Sequence, residues 1–361
     1  MTEIKRRRLH VLLTSVGGLG VPHLIGALRQ LPEFDLTISG VDTRPDAVGA
    51  HFVDYFVRVP PANAPEYSET VLEVCRKNSV DLVIPLSDPE AVALSEAESR
   101  FAAVGCTVLG SPYDATRVAV NKYQWLCHLR DSGVPVPRFH QPRSVDAVDA
   151  ALADLGFPHK RVVLKPAASA GTRGFRLITA EFDELSHVLT TKRESLLSPR
   201  RLHVLLREAT VFPQILLMEY LEGDSISADV LVRERRAACV ICQRRLWPTH
   251  GPVEAAVLER DVQVDEAIER ILRTLPLRYV VNIDLVYRRA PREGGVFPVD
   301  INPRPSATIA TTGGAGSFLL ADAMLDAVGI ERPSKDFRRL RVLRYWNEKY
   351  LPVGFPEIGN S

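Results

Sequence analysis

The sequence predicts an α/β protein with a parallel sheet in its N-terminal part and an α+β arrangement in its C-terminal part. In residues 9–109, short apolar runs alternate with helical patterns, the spacing of a sheet whose strands are joined by right-handed crossovers. After residue 160, apolar runs follow one another through short turns, which is typical of antiparallel strands. A chain of 361 residues is too long for one ordinary core, so we expect two or three domains.

The composition indicates a soluble globular protein, since 46% of the residues are hydrophobic and 25% are charged. The formal net charge of +1 gives no electrostatic argument for nucleic-acid binding. No apolar run is long enough to span a membrane, and the N-terminus lacks the apolar region of a signal peptide. The five cysteines lie in apolar segments, so we expect reduced thiols and a cytoplasmic location.

The N-terminal elements follow one another closely along the chain. The sequence predicts strands at residues 9–14, 36–42, 81–86 and 106–109, helices around residues 24–31 and 69–77, and a ligand-facing loop at residues 86–90.

The first strand runs into a glycine-rich turn at residues 15–20, and Asp42 ends the second strand. This arrangement is similar to a dinucleotide-binding fold, although Gly17-Gly18-Leu19-Gly20 does not fit the G-x-G-x-x-G spacing. A glycine-rich turn before a helix supplies backbone N–H groups for any anion. The turn therefore predicts a crevice for a small ligand, with a nicotinamide cofactor as the minor alternative.

A boundary is predicted at residues 110–112, followed by a short helix at residues 114–120. A second helix begins at Asn121, because Gln124 three residues later completes a variant of the capping box. Lys122 lies in the first turn of this helix, where a positive charge opposes the helix dipole. The local pattern therefore predicts an exposed Lys122 side chain unless the lysine has another purpose.

A strand at residues 161–166 places Lys165 just before a loop of small residues, 167–174, which includes Arg173. Such a loop offers bare N–H groups and can close over a polyphosphate as a lid, and a plain hairpin turn before a strand at 175–178 is the alternative. No Walker-type loop occurs in the sequence. The charged residues 190–210 are predicted to form a connection or a surface helix.

An apolar strand is predicted at residues 215–221, and a turn at 222–225 leads to another strand at 226–232. An apolar strand that ends in open backbone can bind adenine through main-chain groups, with a nearby carboxylate for the ribose. The local pattern alone favours the alternative, a β-hairpin in an antiparallel sheet. An amphipathic helix is predicted at residues 258–275.

The stretch Val296–Ser306 carries the clearest chemical signal. It opens as a β-branched strand, in which Asp300 and Asn302 face the same side. A carboxylate and an amide oxygen on one face suit a hard cation such as Mg²⁺. Arg304 follows on the same parity, with a fork of donors that suits phosphate or carboxylate oxygens. An edge strand that ends in a surface loop is the alternative.

An earlier strand, residues 279–287, places Asn282 and Asp284 on one face of an apolar run. Inward carboxylates on two neighbouring apolar strands are unfavourable unless a cation or hydrogen bonds compensate for them. The two strands therefore predict a shared Mg²⁺ site. Beyond them, we expect a loop at residues 311–316, a helix at residues 318–328 and a last sheet strand at residues 339–346.

In their order and spacing, these elements resemble the ATP-grasp superfamily, in particular the stand-alone carboxylate–amine ligases that are similar to one ATP-binding half of the carbamoyl phosphate synthetase large subunit. The resemblance implies a pre-ATP-grasp, Rossmann-like parallel sheet, followed by an ATP-grasp fold with a lid subdomain and an antiparallel catalytic sheet. The implied domains are residues 1–113 (pre-ATP-grasp), 114–195 (lid and central subdomain) and 196–361 (catalytic subdomain with the C-terminal tail strand).

The resemblance also implies an ATP site. The two lysines that contact ATP phosphates in the family correspond to Lys122 and Lys165, and the flexible lid corresponds to residues 168–174, which hold fewer glycines than the family's loop. The implied ATP contacts are Lys122, Lys165, Gly171, Arg173, Gly174, Met218, Glu219, Leu221, and either Glu222 or Asp224 at the ribose.

Three residues match the family's ligands for Mg²⁺ (or Mn²⁺), of which two ions are expected: Asp284, Asp300 and Asn302. Asp300 replaces the more usual glutamate and is one methylene shorter, so the metal must lie closer to the strand. Arg304 and Lys165 are the implied catalytic residues, and Arg304 holds the carboxylate substrate or its acyl phosphate.

The acceptor pocket is implied to lie among the strand ends of the first domain, Arg304, and the loops around His250 and residues 311–316. The implied activity joins a small-molecule carboxylate to an amine through an acyl phosphate, with ADP and phosphate as products and no nucleic-acid or membrane partner. A homodimer is an expectation of the family. The alternatives are a small-molecule kinase of the same fold, a non-catalytic ATP-binding module, and a nicotinamide-dependent oxidoreductase.

Overall fold

The computed structural model describes residues 6–167, 174–180, 182–190, 196–246, 253–330, 336–345 and 347–352. The chain divides into two compact units. The first unit comprises residues 1–117, 226–284 and 302–361, and the second comprises residues 118–225 and 285–301. The three-domain division expected from the sequence stays a prediction.

The N-terminal region alternates strands and helices as predicted. Its elements are β1 (Arg7–Leu13), α1 (Val21–Arg29), β2 (Phe34–Asp42), β3 (Tyr55–Arg58), α2 (Tyr67–Asn78), β4 (Leu82–Ile84), α3 (Asp88–Glu96), α4 (Glu98–Ala102) and β5 (Thr107–Val108). The strands form a sheet in the order β3-β2-β1-β4-β5, and each neighbouring pair is parallel. The predicted parallel sheet is therefore confirmed.

Strand β1 is buried on both faces. Val11 and Leu13 pack into one apolar core, and Leu12 packs into another. This burial is the reason that the strand reads as a continuous apolar run, as in other parallel sheets. The core around Val11 also contains Leu231 and Ile241 from the C-terminal half, so both halves contribute to the first unit.

One N-terminal element was predicted only in part. Leu86 and Ser87 of the expected loop at residues 86–90 lie outside a helix, whereas α3 begins at Asp88. Ser87 is extended just before the helix, and Pro89 occupies the first turn, where a missing N–H group does no harm. Asp88 and Glu90 in the same turn complement the helix dipole. The strand β3 has no counterpart among the predicted elements.

The middle of the chain builds a second sheet. Its elements are α5 (Tyr113–Ala119), α6 (Lys122–Asp131), β6 (Phe139–His140), α7 (Val145–Asp154), β7 (Val162–Pro166), β8 (Arg176–Ile178), α8 (Glu184–Thr190), β9 (Leu196–Leu197), α9 (Pro199–Glu208) and β10 (Ile215–Glu219). The strand order is β6-β10-β7-β8-β9, with β7 antiparallel to both β8 and β10. Residues 168–173 of the predicted lid loop lie outside the described residues.

The hairpin that the local pattern favoured after residue 215 is wrong. Strand β10 pairs with β7 and β6, whereas the next strand belongs to another sheet. The turn at residues 222–224 bonds elsewhere, because the Gly223 N–H donates to the carbonyl of Tyr287 at 3.0 Å. A Cβ on Gly223 would lie 2.6 Å from that carbonyl oxygen, so only glycine allows this approach.

The C-terminal region adds a mixed set of elements. They are β11 (Ser225–Arg233), β12 (Arg236–Arg245), β13 (Ala255–Glu259), α10 (Val262–Thr274), β14 (Tyr279–Arg289), β15 (Glu293–Asn302), a 3-10 helix (Ile309–Ala315), α11 (Leu319–Ala327) and β16 (Leu340–Leu343). In the first unit the strand order is β14-β11-β12-β13-β16, and β16 pairs antiparallel with β13, as expected for a tail strand. The second unit holds the end of β14 and most of its neighbour β15.

The amphipathic helix predicted at residues 258–275 begins later than expected. Residues 255–259 form β13, and α10 starts after Asp261, whose carboxylate accepts from the N–H of Gln263 at 3.1 Å. A side chain that caps free N–H groups sets the helix start, which apolar periodicity alone does not show. The loop expected at residues 311–316 lies largely within the 3-10 helix. Among the described residues, no helix is long and apolar enough to cross a membrane.

Candidate functional site

Lys122 is buried rather than exposed, so the prediction from the local pattern is wrong. Its Nζ lies 2.9 Å from Oδ1 of Asp300, and the two side chains are 7% and 20% exposed. Asn121 caps the helix, since its side chain accepts from the N–H of Gln124 as predicted. The ion pair with Asp300 compensates for the unfavourable position of a lysine in the first helical turn, where its charge opposes the helix dipole.

Lys165 reaches the same strand of the second unit. Its Nζ donates to the carbonyl of Val299 at 3.1 Å and lies 5.8 Å from the centre of the Phe175 ring. Val299 directly precedes Asp300 on β15. The structure thus brings Lys122, Lys165 and Asp300 together inside the second unit, and we call these three residues the lysine cluster.

Gly174 ends the predicted lid loop, whose Gly171 and Arg173 lie outside the described residues. The φ angle of Gly174 is +76°, in the left-handed region that favours glycine. A Cβ there would also lie 2.6 Å from Cγ of Pro166, the last residue of β7. The loop therefore needs a glycine at this position to return to the sheet.

The segment predicted to bind adenine lies at the end of β10, opposite β7. Met218 and Leu221 are buried, and Met218 is in register with Val163 of β7. The carboxylate of Glu219 is engaged inside the second unit: its Oε1 accepts from the N–H of Arg138 at 3.0 Å and pairs with Arg288 at 2.9 Å. The assignment of this segment to adenine stays a prediction.

The two candidates for the ribose carboxylate differ in their surroundings. Glu222 is exposed, whereas Asp224 is half-buried, with Oδ2 lying 3.2 Å from Nε of Arg292. Glu222 is therefore the more accessible of the two carboxylates, and Asp224 is the more fixed. The choice between them stays a prediction.

Asp284 has an incomplete set of partners within the first unit. Its Oδ2 lies 3.7 Å from an Nη of Arg245. Its Oδ1 is buried, and among the described residues it has no hydrogen-bond partner. An orphaned carboxylate oxygen is unfavourable unless something supplies positive charge, so Asp284 fits the role of a Mg²⁺ ligand.

Asn302 belongs to a buried chain of hydrogen bonds that we call the polar network: Asn302, Asn282, Asp229 and Gln243. Asn302 donates to Asn282 at 3.2 Å, Asn282 donates to Asp229 at 3.1 Å, and Gln243 donates to Asp229 at 2.6 Å. Burial raises the pKa of Asp229 to about 6, although hydrogen bonds from Ser306, Gln243 and Asn282 oppose the shift. The sequence signal that could have revealed this network is Asp229, a carboxylate inside the apolar strand β11.

The three predicted metal ligands do not all fall in one unit. Asp284 and Asn302 belong to the first unit, and Asp300 belongs to the second. Within the described residues, no group of three His, Cys, Asp or Glu side chains is placed to hold a metal ion. The predicted ligands are two carboxylates and one amide, so they do not form a group of that kind. The shared metal site stays a prediction.

Arg304 is held by several partners. Its Nε lies 2.9 Å from Oδ1 of Asp88, and the two side chains are 15% and 12% exposed. Its two Nη atoms donate to Oδ1 of Asn302 and to the carbonyl of Pro305, both at 3.1 Å. Asp88 was missed as a partner, because 216 residues separate it from Arg304 and no local pattern connects them.

A cavity of about 370 Å³ lies in the first unit, and we call it the turn cavity. It is lined by the glycine-rich turn, by Asp42 and Arg44, by Leu86 and Ser87, and by residues 305–310. The sequence predicted a small-ligand crevice at this turn. Residues 311–316, which were expected to line the acceptor pocket, are absent from the lining, and His250 lies outside the described residues.

The glycine-rich turn binds a carboxylate of the protein itself. The Gly17 N–H donates to Oδ2 of Asp42 at 2.7 Å, and the Arg44 N–H donates to Oδ1 at 3.0 Å. A Cβ on Gly17 would lie 2.9 Å from Oδ2, so glycine permits this approach. Asp42 thus occupies the position where a turn of this kind offers an N–H group to an anion.

Glu90 lies buried beside the turn cavity. Its Oε2 accepts from the hydroxyls of Thr14, Ser15 and Ser87 at 2.5, 2.7 and 2.7 Å. Burial raises the pKa of Glu90, and the three hydroxyl donors oppose this shift. Glu90 had been placed in a loop, and its contacts with Thr14 and Ser15 span 76 and 75 residues, so no local pattern connects Glu90 with those two residues.

Two family models match separate parts of the chain. Residues 11–109 match the model described as PylC-like, N-terminal domain. Residues 211–346 match the model described as ATP-grasp in the biosynthetic pathway with Ter operon. The resemblance to the ATP-grasp superfamily is therefore confirmed for the C-terminal region, and the N-terminal region has a recognised counterpart of its own.

Individual proteins agree with these matches. The carbamoyl phosphate synthase large chain of Pseudothermotoga lettingae is 22% identical over 318 residues, which cover 84% of this chain and 26% of that protein. This chain therefore spans about a quarter of that relative's length.

Solved structures share the fold. The ADP complex of purK, N5-carboxyaminoimidazole ribonucleotide synthetase, has a TM-score of 0.67 at 14% identity and covers 94% of this chain and 81% of its own. The L-amino acid ligase from Bacillus licheniformis has a TM-score of 0.59 at 14% identity, with coverages of 90% and 74%. The predicted fold class is confirmed.

Proposed function

We propose that this chain, which has an ATP-grasp fold, is an ADP-forming ligase that joins a small-molecule carboxylate to an amine. The observation that carries the proposal is the lysine cluster, in which two lysines from different elements meet the strand of Asp300. Phosphoryl transfer requires mainly positioning and the neutralisation of negative charge. A buried lysine that pairs with a carboxylate and a half-buried lysine that contacts the same strand suit that task.

Each residue of the lysine cluster has a role in the proposal. Lys122 and Lys165 bind the phosphate oxygens of ATP, and Lys165 also stabilises the charge that develops on the transferred phosphoryl group. The lid loop that ends at Gly174 excludes water, which would otherwise hydrolyse the activated carboxylate. The end of β10 binds adenine through its main chain, and Glu222 or Asp224 binds the ribose.

Asp284, Asp300 and Asn302 would hold Mg²⁺ (or Mn²⁺), which supplies positive charge between the ATP phosphates. The orphaned oxygen of Asp284 supports this assignment. Arg304 orients the substrate carboxylate and then the acyl phosphate, because its guanidinium presents fixed donors to oxygen anions. Asp88 and Asn302 keep that guanidinium in place.

The proposed reaction has two balanced steps. A carboxylate oxygen of the substrate attacks the γ-phosphorus of ATP, an acyl phosphate forms, and ADP leaves. The amine nitrogen then attacks the acyl carbon, inorganic phosphate leaves, and the nitrogen loses a proton to give an amide. The proposal includes a cytoplasmic location and a homodimer, and size-exclusion chromatography tests the latter.

Mg²⁺-dependent ADP release tests the proposal. The purified protein is incubated with ATP and a panel of carboxylates, amino acids foremost, each with and without amines. Asp300→Ala serves as the blank, and Asp131→Ala, which changes an exposed aspartate of the same unit, is the matched control. We expect ADP only with a particular acid–amine pair, no ADP from Asp300→Ala, and normal release from Asp131→Ala.

Other outcomes identify the alternatives. ADP release with an acid alone and a stable phosphorylated product indicates the kinase. AMP and pyrophosphate contradict acyl phosphate chemistry and indicate adenylation instead. Full activity of Asp300→Ala contradicts the role of the lysine cluster in ATP turnover.

A further inference from the structure

The polar end of the turn cavity presents hydrogen-bond acceptors. Asp42, Ser15 and Ser87 line the cavity. The two oxygens of Asp42 each accept one backbone N–H group, which leaves further lone pairs for a ligand. A ligand that meets this end of the cavity must therefore bring donors.

The serine hydroxyls cannot supply those donors. Ser15 and Ser87 both donate their protons to Oε2 of Glu90, at 2.7 Å in each case. A hydroxyl has a single proton, so each serine oxygen offers only lone pairs in other directions. The buried Glu90 thereby turns two ambivalent hydroxyls into acceptors that face the cavity.

The glycine-rich turn suggests an anionic ligand, but two of its N–H groups are already bonded within the protein. The Gly17 N–H is bonded to Asp42, and the Gly18 N–H is bonded to the carbonyl of Ser15 at 3.1 Å. Asp42 itself brings a negative charge to the turn. A phosphate or carboxylate placed here would meet that charge at short range.

The rest of the lining is mostly apolar. Leu24 and Ile309 are buried on the cavity wall, and Leu86, Pro305 and Ala310 also line it. A volume of about 370 Å³ lies at the low end of small-ligand pockets. The cavity therefore fits a small ligand with an apolar body.

Two arginines, Arg44 and Arg344, lie near the turn cavity. Arg44 lines it, but its side chain is 60% exposed and its Nε lies 3.4 Å from Asp46. Arg344 lies behind Gly20, and one of its Nη atoms donates to the carbonyl of Val253 at 3.2 Å. Among the described contacts, neither guanidinium group bonds to Asp42, Ser15 or Ser87.

We propose that the turn cavity binds the amine substrate, recognising a primary ammonium group at Asp42, Ser15 and Ser87 and an apolar body on the opposite wall. This inference rests on the proposed ligase function. The cavity also lies next to the proposed carboxylate site. Ser87 precedes Asp88, which pairs with Arg304, and Pro305 follows Arg304 in the lining.

Binding without ATP tests the inference separately from turnover. Isothermal titration calorimetry is carried out with leucinamide, which has an ammonium group and an apolar body, with N-acetylleucinamide, which lacks the charge, and with 4-methylpentanoate, an anion of similar shape. We expect leucinamide to bind at least about tenfold more tightly than either of the other compounds, since a hydrogen bond to a charged group carries that difference.

The variants test whether the turn cavity favours a positively charged ligand. Asp42→Asn weakens leucinamide binding at least about tenfold, whereas Arg44→Gln leaves it equal or tighter. Asp46→Asn, an exposed aspartate two residues from Arg44, is the matched control and changes binding less than about twofold. If Asp42→Asn fails a circular dichroism check of folding, Ser87→Ala replaces it, with weaker leucinamide binding expected.

Three results overturn the inference: no leucinamide binding, preferred binding of 4-methylpentanoate, or weaker leucinamide binding in Arg44→Gln. Leucinamide binding that persists in Asp300→Ala, without ADP release, supports the inference independently of catalysis. If wild-type protein releases no ADP with any acid–amine pair but binds leucinamide, the ligase proposal fails. The binding of an ammonium ligand in the turn cavity is then still supported.

Discussion

Two regions of the molecule, the lysine cluster of the second unit and the polar network around Asp229 in the first, differ in how they hold buried charge. In the second unit, Lys122 pairs with Asp300, and Glu219 pairs with Arg288. In the first unit, Asp229 is held by amide donors and a hydroxyl. An ion pair compensates charge with charge, whereas neutral donors only offset part of the desolvation penalty.

This difference appears in the titration of the carboxyl groups. The pKa values of Glu90 and Asp229 in the first unit are raised, and burial is the main cause for both. The first unit therefore contains two carboxyl groups whose pKa values are raised by burial, whereas Asp300 in the second unit is paired with a lysine. A largely buried carboxyl group can thus be stabilised either by an ion pair or by neutral hydrogen-bond donors, and the two groups that neutral donors hold have pKa values raised by burial.

The largest effect is expected from the lysine cluster. Lys165→Ala removes a cation from the phosphates and should lower kcat/KM for ATP turnover about 1,000-fold while the protein stays folded. Lys160→Ala, which changes an exposed lysine just before β7, is the matched control and should stay within about threefold of wild type. Steady-state ADP release measures both, and near-normal turnover of Lys165→Ala would contradict the proposed site.

The raised pKa of Asp229 predicts a pH-dependent stability. The folded pKa is about 6 and the ordinary value is 3.8, so the folded protein holds more protons between these values and the free energy of unfolding falls as pH rises through them. Asp229→Asn lacks this titration. From about pH 4 to about pH 7, we expect wild type to lose about 2 kcal/mol relative to the variant.

Urea denaturation at the two pH values measures that difference. Asp131→Asn, in an exposed position, is the control and should follow the wild-type pH dependence. Parallel curves for wild type and Asp229→Asn would show that Asp229 does not titrate in this window.

The ion pair of the second unit predicts a coupling energy. In a double-mutant cycle of Lys122→Met and Asp300→Asn, we expect about 2 kcal/mol of coupling in the free energy of unfolding, because each single change leaves a buried charge without its partner. The Arg130–Asp131 pair on the same helix is 55% and 66% exposed and should show less than about 0.5 kcal/mol. Equal coupling in the two pairs would contradict the special contribution of the buried Lys122–Asp300 pair.

The smallest expected effects concern the wall of the turn cavity. A Cβ on Gly20 would lie 2.4 Å from the carbonyl oxygen of Ala307, so Gly20→Ala should lower the free energy of unfolding by about 1–2 kcal/mol. Gly26 lies in α1 with no atom within 4 Å of such a Cβ, so Gly26→Ala should raise it by about 0.5–1 kcal/mol. Thermal denaturation measures both, and effects of the same sign would contradict the packing at Gly20.

Much of the fold was predictable because its signals are local. The apolar runs of β1 and β2 and the cap at Asn121 lie within short windows, and each was predicted. The start of α10 and the path of the chain after β10 were not predicted. The start of α10 depends on the cap at Asp261, and the path after β10 depends on the contact of Gly223 with Tyr287. The predicted site residues were identified from motif order, and their joint action stays a prediction.

The sequence by itself determined which side chains share a strand face and which residue types stand at the strand ends, because the alternation of a strand is set by the backbone. The tertiary structure alone decided that Lys122 is buried against Asp300, that Asp42 occupies the glycine-rich turn, and that Glu90 orients two serine hydroxyls. Apart from the contact of Ser87 with Glu90, which spans three residues, these contacts join residues 25 to 178 positions apart, a separation that no local pattern encodes. Only the packing of the sheets and helices brings such residues within hydrogen-bonding distance.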